Sequence, residues 1–312
     1  MADPQAQIWF NGTLVSAPEA NVSVMSHALH YGSSVFEGIR AYQTNNGSQT
    51  FRLREHLERL HYSAGVYRIP VPYSVPELTG ACLDVVQANG LTAAYIRPIV
   101  FRGNCGLGVI PRDMAKVETA IIAVPWGAYL GDSALTEGVN VCISSWQRSA
   151  PNTIPAGVKA GGNYLSSQLV GFEARDRGCA EGVALGANGL LSEGAGENIF
   201  VINDGLITTP PQAASILNGI TRDTAIVLAR DLGYTVLEQD IAREQLYAAD
   251  EIFFTGTAAE ITPVCQVDHV QIGEQGRWPV TKAIQSAFFG LFDGSTADKW
   301  GWLQPVLSST KA

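Results

Sequence analysis

Cysteine is scarce in this chain and shows no pairing pattern. Five cysteines stand at 82, 105, 142, 179 and 265, and no two form a CxxC. An odd, dispersed set reads as reduced, buried thiols of a cytoplasmic protein rather than a disulfide framework. Long apolar runs are missing as well, and none approaches the ~20 residues a membrane-spanning helix needs. The start, Met1-Ala2-Asp3-Pro4-Gln5, has neither a basic n-region nor an apolar h-region, so no signal peptide is expected. Positive charge is in deficit: the net charge is −9 and the pI about 5.0, which argues against a phosphate-backbone binder. The five histidines (27, 30, 56, 61, 269) form no HExxH and no zinc-spaced cluster, which argues against a metal site. No GxxxxGK[ST] occurs, and Gly194-Ala195-Gly196-Glu197 lacks the third glycine of a dinucleotide loop.

What is present suits a globular protein with a large core. The 312 residues are 46% hydrophobic and 16% charged. Gln7–Phe10 alternates into Asn11-Gly12, a hairpin signal. Thr50–Leu53 reads as a strand. Residues 54–66 read as a helix with Leu57, Leu60 and Ala64 on one face. Pro70, Pro72 and Pro76 break the pattern before a helix over Glu77–Asn89, and Thr119–Val124 is an apolar strand. The second half is richer in strands, at 139–145, 181–185, 198–202, 234–238 and 251–254, with a helix over 222–231 capped by Thr221. Strands and helices at irregular spacing predict an α+β architecture. The expected organisation is a small N-terminal domain over 1–125, an interdomain loop over 126–137 and a larger domain over 138–312.

Within this pattern one lysine stands out. Lys159 is the only charged residue among the 24 from Ser149 to Phe172, inside Ala156-Gly157-Val158-Lys159-Ala160-Gly161-Gly162. A desolvated amine loses its preference for the charged form, the route by which lysine becomes a nucleophile for Schiff-base chemistry. The plainer alternative is a lysine on a glycine-rich surface turn. Two loops offer backbone amides to an anion: Asn218-Gly219-Ile220-Thr221 ahead of a helix, and Thr255-Gly256-Thr257-Ala258-Ala259-Glu260 after a strand. An ordinary helix cap and a tight strand-to-helix turn are the alternatives there. Glu193, flanked by small residues, supplies a carboxylate that a flat ring can approach. A lysine, two phosphate-sized seats and a carboxylate together suggest pyridoxal phosphate, which needs all three.

The chain closely resembles the bacterial branched-chain aminotransferases, pyridoxal-phosphate enzymes of fold type IV. The resemblance runs from about Ile8 to Trp302. It rests on Ser26-His27-Ala28-Leu29-His30-Tyr31-Gly32, Phe36-Glu37-Gly38-Ile39-Arg40, Tyr95-Ile96-Arg97-Pro98, Pro151-Asn152-Thr153-Ile154-Pro155, Lys159-Ala160-Gly161-Gly162-Asn163-Tyr164, Ser192-Glu193-Gly194, Gly219-Ile220-Thr221-Arg222-Asp223 and Gly256-Thr257-Ala258-Ala259-Glu260. It implies a two-domain α+β fold, with Lys159 as the catalytic lysine that carries the cofactor. Glu193 is implied as partner of the pyridine nitrogen and Tyr164 of the phenolic oxygen. Arg59 is implied as the phosphate ligand, joined by the Ile220 and Thr221 amides and by Thr257. Read without the family, Arg59 sits on a solvated helix face with Glu55 at i−4.

The resemblance also implies a substrate pocket walled by Tyr31, Phe36, Leu107, Val109, Trp126 and Tyr129. In the family Tyr31, Leu107 and Val109 come from a neighbouring subunit, which implies a homodimer or homohexamer. Tyr95, Thr257, Ala258 and Ala259 would meet the α-carboxylate, and Arg97 the distal carboxylate of glutamate. The implied activity is reversible ping-pong transamination of leucine, isoleucine and valine with 2-oxoglutarate, by a cytoplasmic enzyme needing no metal, nucleic acid or membrane. The nearest alternatives are a D-amino-acid or (R)-amine transaminase, or aminodeoxychorismate lyase, of the same fold; a non-enzymatic cofactor-binding or scaffold protein is the alternative of another class.

Overall fold

The computed structural model describes residues 5–111, 116–127, 130–131, 133–274 and 276–306. The chain divides into two compact units: 1–126 with 158–162 and 298–312, and 127–157 with 163–297. The five-residue stretch that contains Lys159 thus folds with the first unit.

The first unit is built on an antiparallel sheet. Its strands run in the order Leu303–Pro305, Gly47–Phe51, Ile39–Thr44, Ala94–Arg102, Val117–Val124, Gln7–Phe10, Thr13–Ser16, with Ser34–Phe36 also paired to Ala94–Arg102. The Asn11-Gly12 turn closes as expected, with both residues at positive φ (50° and 102°) as a type I′ turn demands. The Thr50–Leu53 expectation is corrected at its end: the strand stops at Phe51, and Leu53 opens the helix Leu53–Val66. That helix buries Leu57, Leu60 and Ala64, as its periodicity requires. The next helix starts two residues before the expected Glu77 and covers Val75–Ala88. Ser74 and Glu77 close a capping box there, and Pro76 sits in the first turn, where a missing N–H costs nothing. Val158 and Ala160 belong to the core under these helices, together with Leu57, Leu60 and Val35.

The second unit holds a mixed sheet in the order Leu191–Gly194, Glu181–Leu185, Val139–Ile143, Glu260–Val267, Glu251–Gly256, Asn198–Asn203, Leu206–Thr209, Val236–Glu238. Val139–Ile143 runs parallel to both neighbours, and most other pairings are antiparallel. Helices Tyr164–Asp176, Ile220–Asp231 and Pro279–Asp293 cover it. Two expectations are corrected here. Thr221 is not the helix cap but the second helical residue; Gly219, in extended conformation, is the cap. The Thr255–Glu260 segment is not a strand-to-helix turn but a hairpin, in which Gly256 pairs directly with Glu260 at φ 56°. Of the cysteines expected to be buried, Cys105 and Cys265 are only partly so. No helix among the described residues is long and apolar enough to cross a membrane.

Phe253 is fully buried and stacks on Phe200 at 4.6 Å between centroids. Phe253→Ala is expected to lose about 3–5 kcal/mol, because the surrounding sheet closes only part of the cavity. Equilibrium chemical denaturation measures this.

Candidate active site

In the first unit the site begins with how Lys159 is held. The Lys159 carbonyl accepts from Phe36 N at 3.1 Å, its amide donates to Ser63 Oγ at 3.2 Å, and Ala160 bridges to Val35. The flanking Val158 and Ala160 are buried while Lys159 is partly exposed. Ala160 N donates to Val158 O at 2.9 Å, closing a tight turn centred on Lys159 that sets both neighbours into the core and the lysine away from it. Its Nζ lies 5.1 Å from the centre of the Phe36 ring. The surface-turn alternative fails, since a surface turn would not place both neighbours of the lysine in the core.

Behind this segment sits an ionic cluster that the sequence did not reveal. Glu37, fully buried, accepts from Arg59 Nε at 2.6 Å and Nη2 at 2.8 Å, and from His56 Nδ1 at 2.7 Å. An ionised carboxylate can only accept, so the His56 proton is on Nδ1. Burial pushes the imidazole below its ordinary pKa, which leaves it neutral. Arg59 is therefore not on a solvated face: its side chain is 12% exposed and forked onto Glu37. Glu55 pairs instead with Arg52 at 2.8 Å. Glu37 stands within one of the recognised motifs, but nothing in its spacing reveals partners 19 and 22 residues away.

The aromatic group expected around the substrate also assembles within this unit. Tyr95 stacks on Trp126 at 4.5 Å. Arg97 Nη2 donates to Tyr95 Oη at 2.8 Å, and the guanidinium lies 4.5 Å above the Phe36 ring. Gly38 permits this arrangement, because a Cβ there would collide with the Tyr95 hydroxyl. Tyr31 Oη donates to Leu107 O at 2.6 Å, and His27 Nε2 contacts the Gly108 and Val109 carbonyls at 3.1 and 3.2 Å. The loop so held presents Leu107 (55% exposed) and Val109 (73%) to solvent rather than to the Phe36–Tyr95–Trp126 group. Tyr129 lies outside the described residues.

In the second unit the central side chain is Glu193. A register shift between Leu191 and Glu193 makes Ser192 the bulged residue. One Glu193 oxygen meets Arg148 Nη2 at 2.6 Å; the other accepts from Asn198 Nδ2 and Leu217 N, both at 3.0 Å. Arg148 and Asn198 were not anticipated as its partners. Asn198 Oδ1 presses so closely on Gly219 that no Cβ fits there. Gly219 in turn leads into the helix Ile220–Asp231, which has no side-chain cap and whose first turn opens with Ile220 and Thr221. Thr255 Oγ1, fully buried, has no hydrogen-bond partner among the described residues. Thr257, Ala258 and Ala259 form the turn of the hairpin just beyond it, and Tyr164 is the first residue of its helix.

The amino-transferase class IV family model matches residues 34–267. The chain belongs to this family. It is 59% identical to the branched-chain-amino-acid aminotransferase of Salmonella typhimurium over 96% of this chain and 97% of that one. The Escherichia coli K12 enzyme of that name is 59% identical over the same shares. A crystal structure of an Escherichia coli branched-chain amino acid aminotransferase superposes with a TM-score of 0.96 at 58% identity, covering 97% of this chain and all (100%) of the other. A T.th. branched-chain amino acid aminotransferase with pyridoxamine 5'-phosphate superposes at 0.93 and 44% identity, covering 97% and 99%.

In this class IV aminotransferase the Glu37 cluster makes stability depend on pH. Burial alone would raise the Glu37 carboxyl, but the Arg59 guanidinium and the His56 N–H hold it well below the ordinary carboxylate range. Its contribution is therefore fully present above the unfolded value of ~4.3 and is lost as the pH falls below it. Glu37→Gln is expected to be less stable than wild type at neutral pH, with the gap narrowing as the solution is acidified through pH ~4. Thermal melts of both proteins across that range test this, and a gap that widens on acidification would contradict it.

Proposed function

We propose that this aminotransferase moves the amino group of leucine, isoleucine and valine to 2-oxoglutarate, reversibly, with pyridoxal 5'-phosphate as cofactor. The observation that carries the reading is the Lys159 segment, where a lone lysine is aimed out of a packed core over the Phe36 ring. The relatives at 59% identity bearing the branched-chain name support the substrate class.

The residues present suit the cofactor. The helix start at Ile220 and Thr221, which has no side-chain cap and follows a glycine where no Cβ fits, is a seat for a phosphate. Thr255 Oγ1 is a buried hydroxyl in want of a partner in the strand that leads to Thr257. Pyridoxal phosphate supplies an electron sink for breaking the Cα–H bond of the substrate. Lys159 would hold it covalently through its amine, and that amine, when free, would take up and return the Cα proton of the substrate. Glu193, fixed by Arg148, Asn198 and the Leu217 amide, holds the proton on the pyridine nitrogen. Tyr164, the first residue of its helix, would meet the phenolic oxygen. Arg59, kept in orientation by Glu37, binds the phosphate together with the Ile220 and Thr221 amides and Thr257.

Phe36, Trp126, Tyr129, Tyr31, Leu107 and Val109 wall the side-chain pocket, where burying a branched side chain is worth roughly 1.5–3 kcal/mol. Tyr95 and the Thr257, Ala258 and Ala259 turn receive the α-carboxylate. Arg97, whose buried Nε has no partner among the described residues, takes the distal carboxylate of glutamate. One pocket then accepts an apolar side chain along Phe36 or a carboxylate on Arg97. The exposed apolar residues of the Leu107 loop support self-association as a homodimer or homohexamer, with Tyr31, Leu107 and Val109 serving a neighbouring copy. Sedimentation of the purified protein tests that assignment, and a monomer at micromolar concentration would end it.

Lys159→Ala is expected to abolish multiple turnover while leaving the fold, read by circular dichroism, in place. Mixing the cofactor-loaded wild type with L-leucine in the absence of an acceptor should bleach the cofactor absorbance, whereas D-alanine should not; the reverse pattern would favour a D-amino-acid transaminase. Arg97→Leu should raise KM for glutamate at least tenfold, by about 1.4 kcal/mol or more, with little change for leucine.

A further inference from the structure

The second unit contains two buried acids for which the reaction described above has no use. Glu181, on the strand Glu181–Leu185, and Glu197, in the turn before Asn198–Asn203, are both buried. Glu181 Oε1 accepts from Gly182 N at 2.6 Å, Glu197 Oε2 accepts from Gly196 N at 3.0 Å, and the two carboxyl groups hydrogen-bond to each other. Two carboxyl groups can share a hydrogen bond only if one of them carries a proton. Burial raises both above the ordinary carboxylate range, Glu197 the further because Glu181 and Glu193 repel its charge. Among the described residues neither has a cationic partner.

Their position relative to Glu193 gives the pair meaning. Glu197 Oε2 lies 2.9 Å from where a Cβ on Gly194 would stand, so the carboxyl packs against the backbone next to Glu193. Gly194 N also donates to Glu197 O at 2.7 Å, and Ala195 N to Gly182 O at 3.1 Å, which ties the three acids into one rigid turn. Glu193 is matched by Arg148 at 2.6 Å, so that ion pair is neutral and by itself offers no net charge to a cation. Two acids sharing one proton add a single negative charge immediately behind it.

We propose that Glu181 and Glu197 form a proton-sharing positioning pair whose one negative charge offsets Arg148 and keeps the ring nitrogen of the cofactor protonated at Glu193. The inference rests on the cofactor reading above. A buried anion acts strongly here because little water screens it. The sharing makes a distinctive prediction. Replacing either acid by glutamine leaves the other free to ionise against an amide donor, so the charge survives. Replacing both removes it.

Three variants, Glu181→Gln, Glu197→Gln and the double, are to be loaded with 15N-labelled pyridoxal phosphate. The 15N resonance of the ring reports its protonation directly, which a merely structural role would not move. Each single variant should keep the protonated-ring shift and an L-leucine half-reaction within about threefold of wild type. The double variant should move the resonance toward the unprotonated value and slow the half-reaction about tenfold or more with KM little changed, as losing one pKa unit or more of preference implies. A double variant with the wild-type 15N shift overturns the proposal. Should the double variant not fold, the infrared spectrum of the wild type decides. A protonated-carboxyl stretch that persists at neutral pH and vanishes in either single variant is expected, and its absence from the wild type overturns the pairing. Borohydride reduction and peptide mapping separate this from the cofactor reading: failure to trap the cofactor on Lys159 sinks that reading, whereas trapping with an unmoved 15N shift in the double variant sinks only the inference.

Discussion

The burial of Val158 and Ala160 on either side of one lysine is the constraint around which the site is arranged. Each contributes a small apolar side chain to the core of the first unit, and the tight turn between them, closed by Ala160 N on Val158 O, leaves Lys159 nowhere to point but outward. The pairings to Val35, Phe36 and Ser63 fix the backbone on which the amine is mounted. A reactive amine on a mobile turn would lose its aim; one on a segment tied into a hydrophobic core does not. The absence of other charge around it, first seen as a gap in composition, does not come from burial, since of the residues from Ser149 to Phe172 only Val158, Ala160 and Val170 are buried.

The same economy governs the charged groups. Glu37 is stable in the core only because Arg59 and His56 answer it, and Arg59 has a defined direction only because Glu37 holds two of its donors. Glu193 is likewise met on both oxygens, by a guanidinium, an amide side chain and a backbone N–H. Each functional charge is therefore held by a less conspicuous one, and the supporting residue comes from a distant part of the sequence. Rigidity of this kind is what a site needs when charge develops during reaction and no water is present to reorganise around it.

Much of the fold was legible in local patterns. The Asn11-Gly12 hairpin and the amphipathic helix ending at Val66 follow from turn chemistry and a 3.6-residue period, which act over a few residues. Legibility ended where contacts are long-range. No spacing rule links Arg59 to Glu37 or Glu193 to Arg148, so the first looked like an ordinary helix-surface residue and the second pairing was not foreseen. Thr221 had the chemistry of a cap, but the helix starts one residue upstream of it, at Ile220, with Gly219 as the cap. The hairpin at Gly256–Glu260 was hidden because glutamate rarely adopts the positive φ it takes at Glu260. The exposed loop carrying Leu107 and Val109 cannot be assigned to a pocket from one chain's contacts, and its place in the site came from the resemblance alone.

The bulge at Ser192 shows that chain length itself carries information here. Leu191 stands opposite Leu185 and Glu193 opposite Ala184, so removing that one extra residue would close the strand into an unbroken ladder with Glu181–Leu185 and leave Glu193 on the face it already has. The shortened strand would be the more regular one by every measure of pairing, yet it would lose the Ser192 hydroxyl, which donates to Ala214 O at 2.7 Å and ties the strand to the segment whose Leu217 amide meets Glu193. A deletion at this point thus keeps every functional residue and its facing, and removes instead the anchor of the segment that supplies one of their partners.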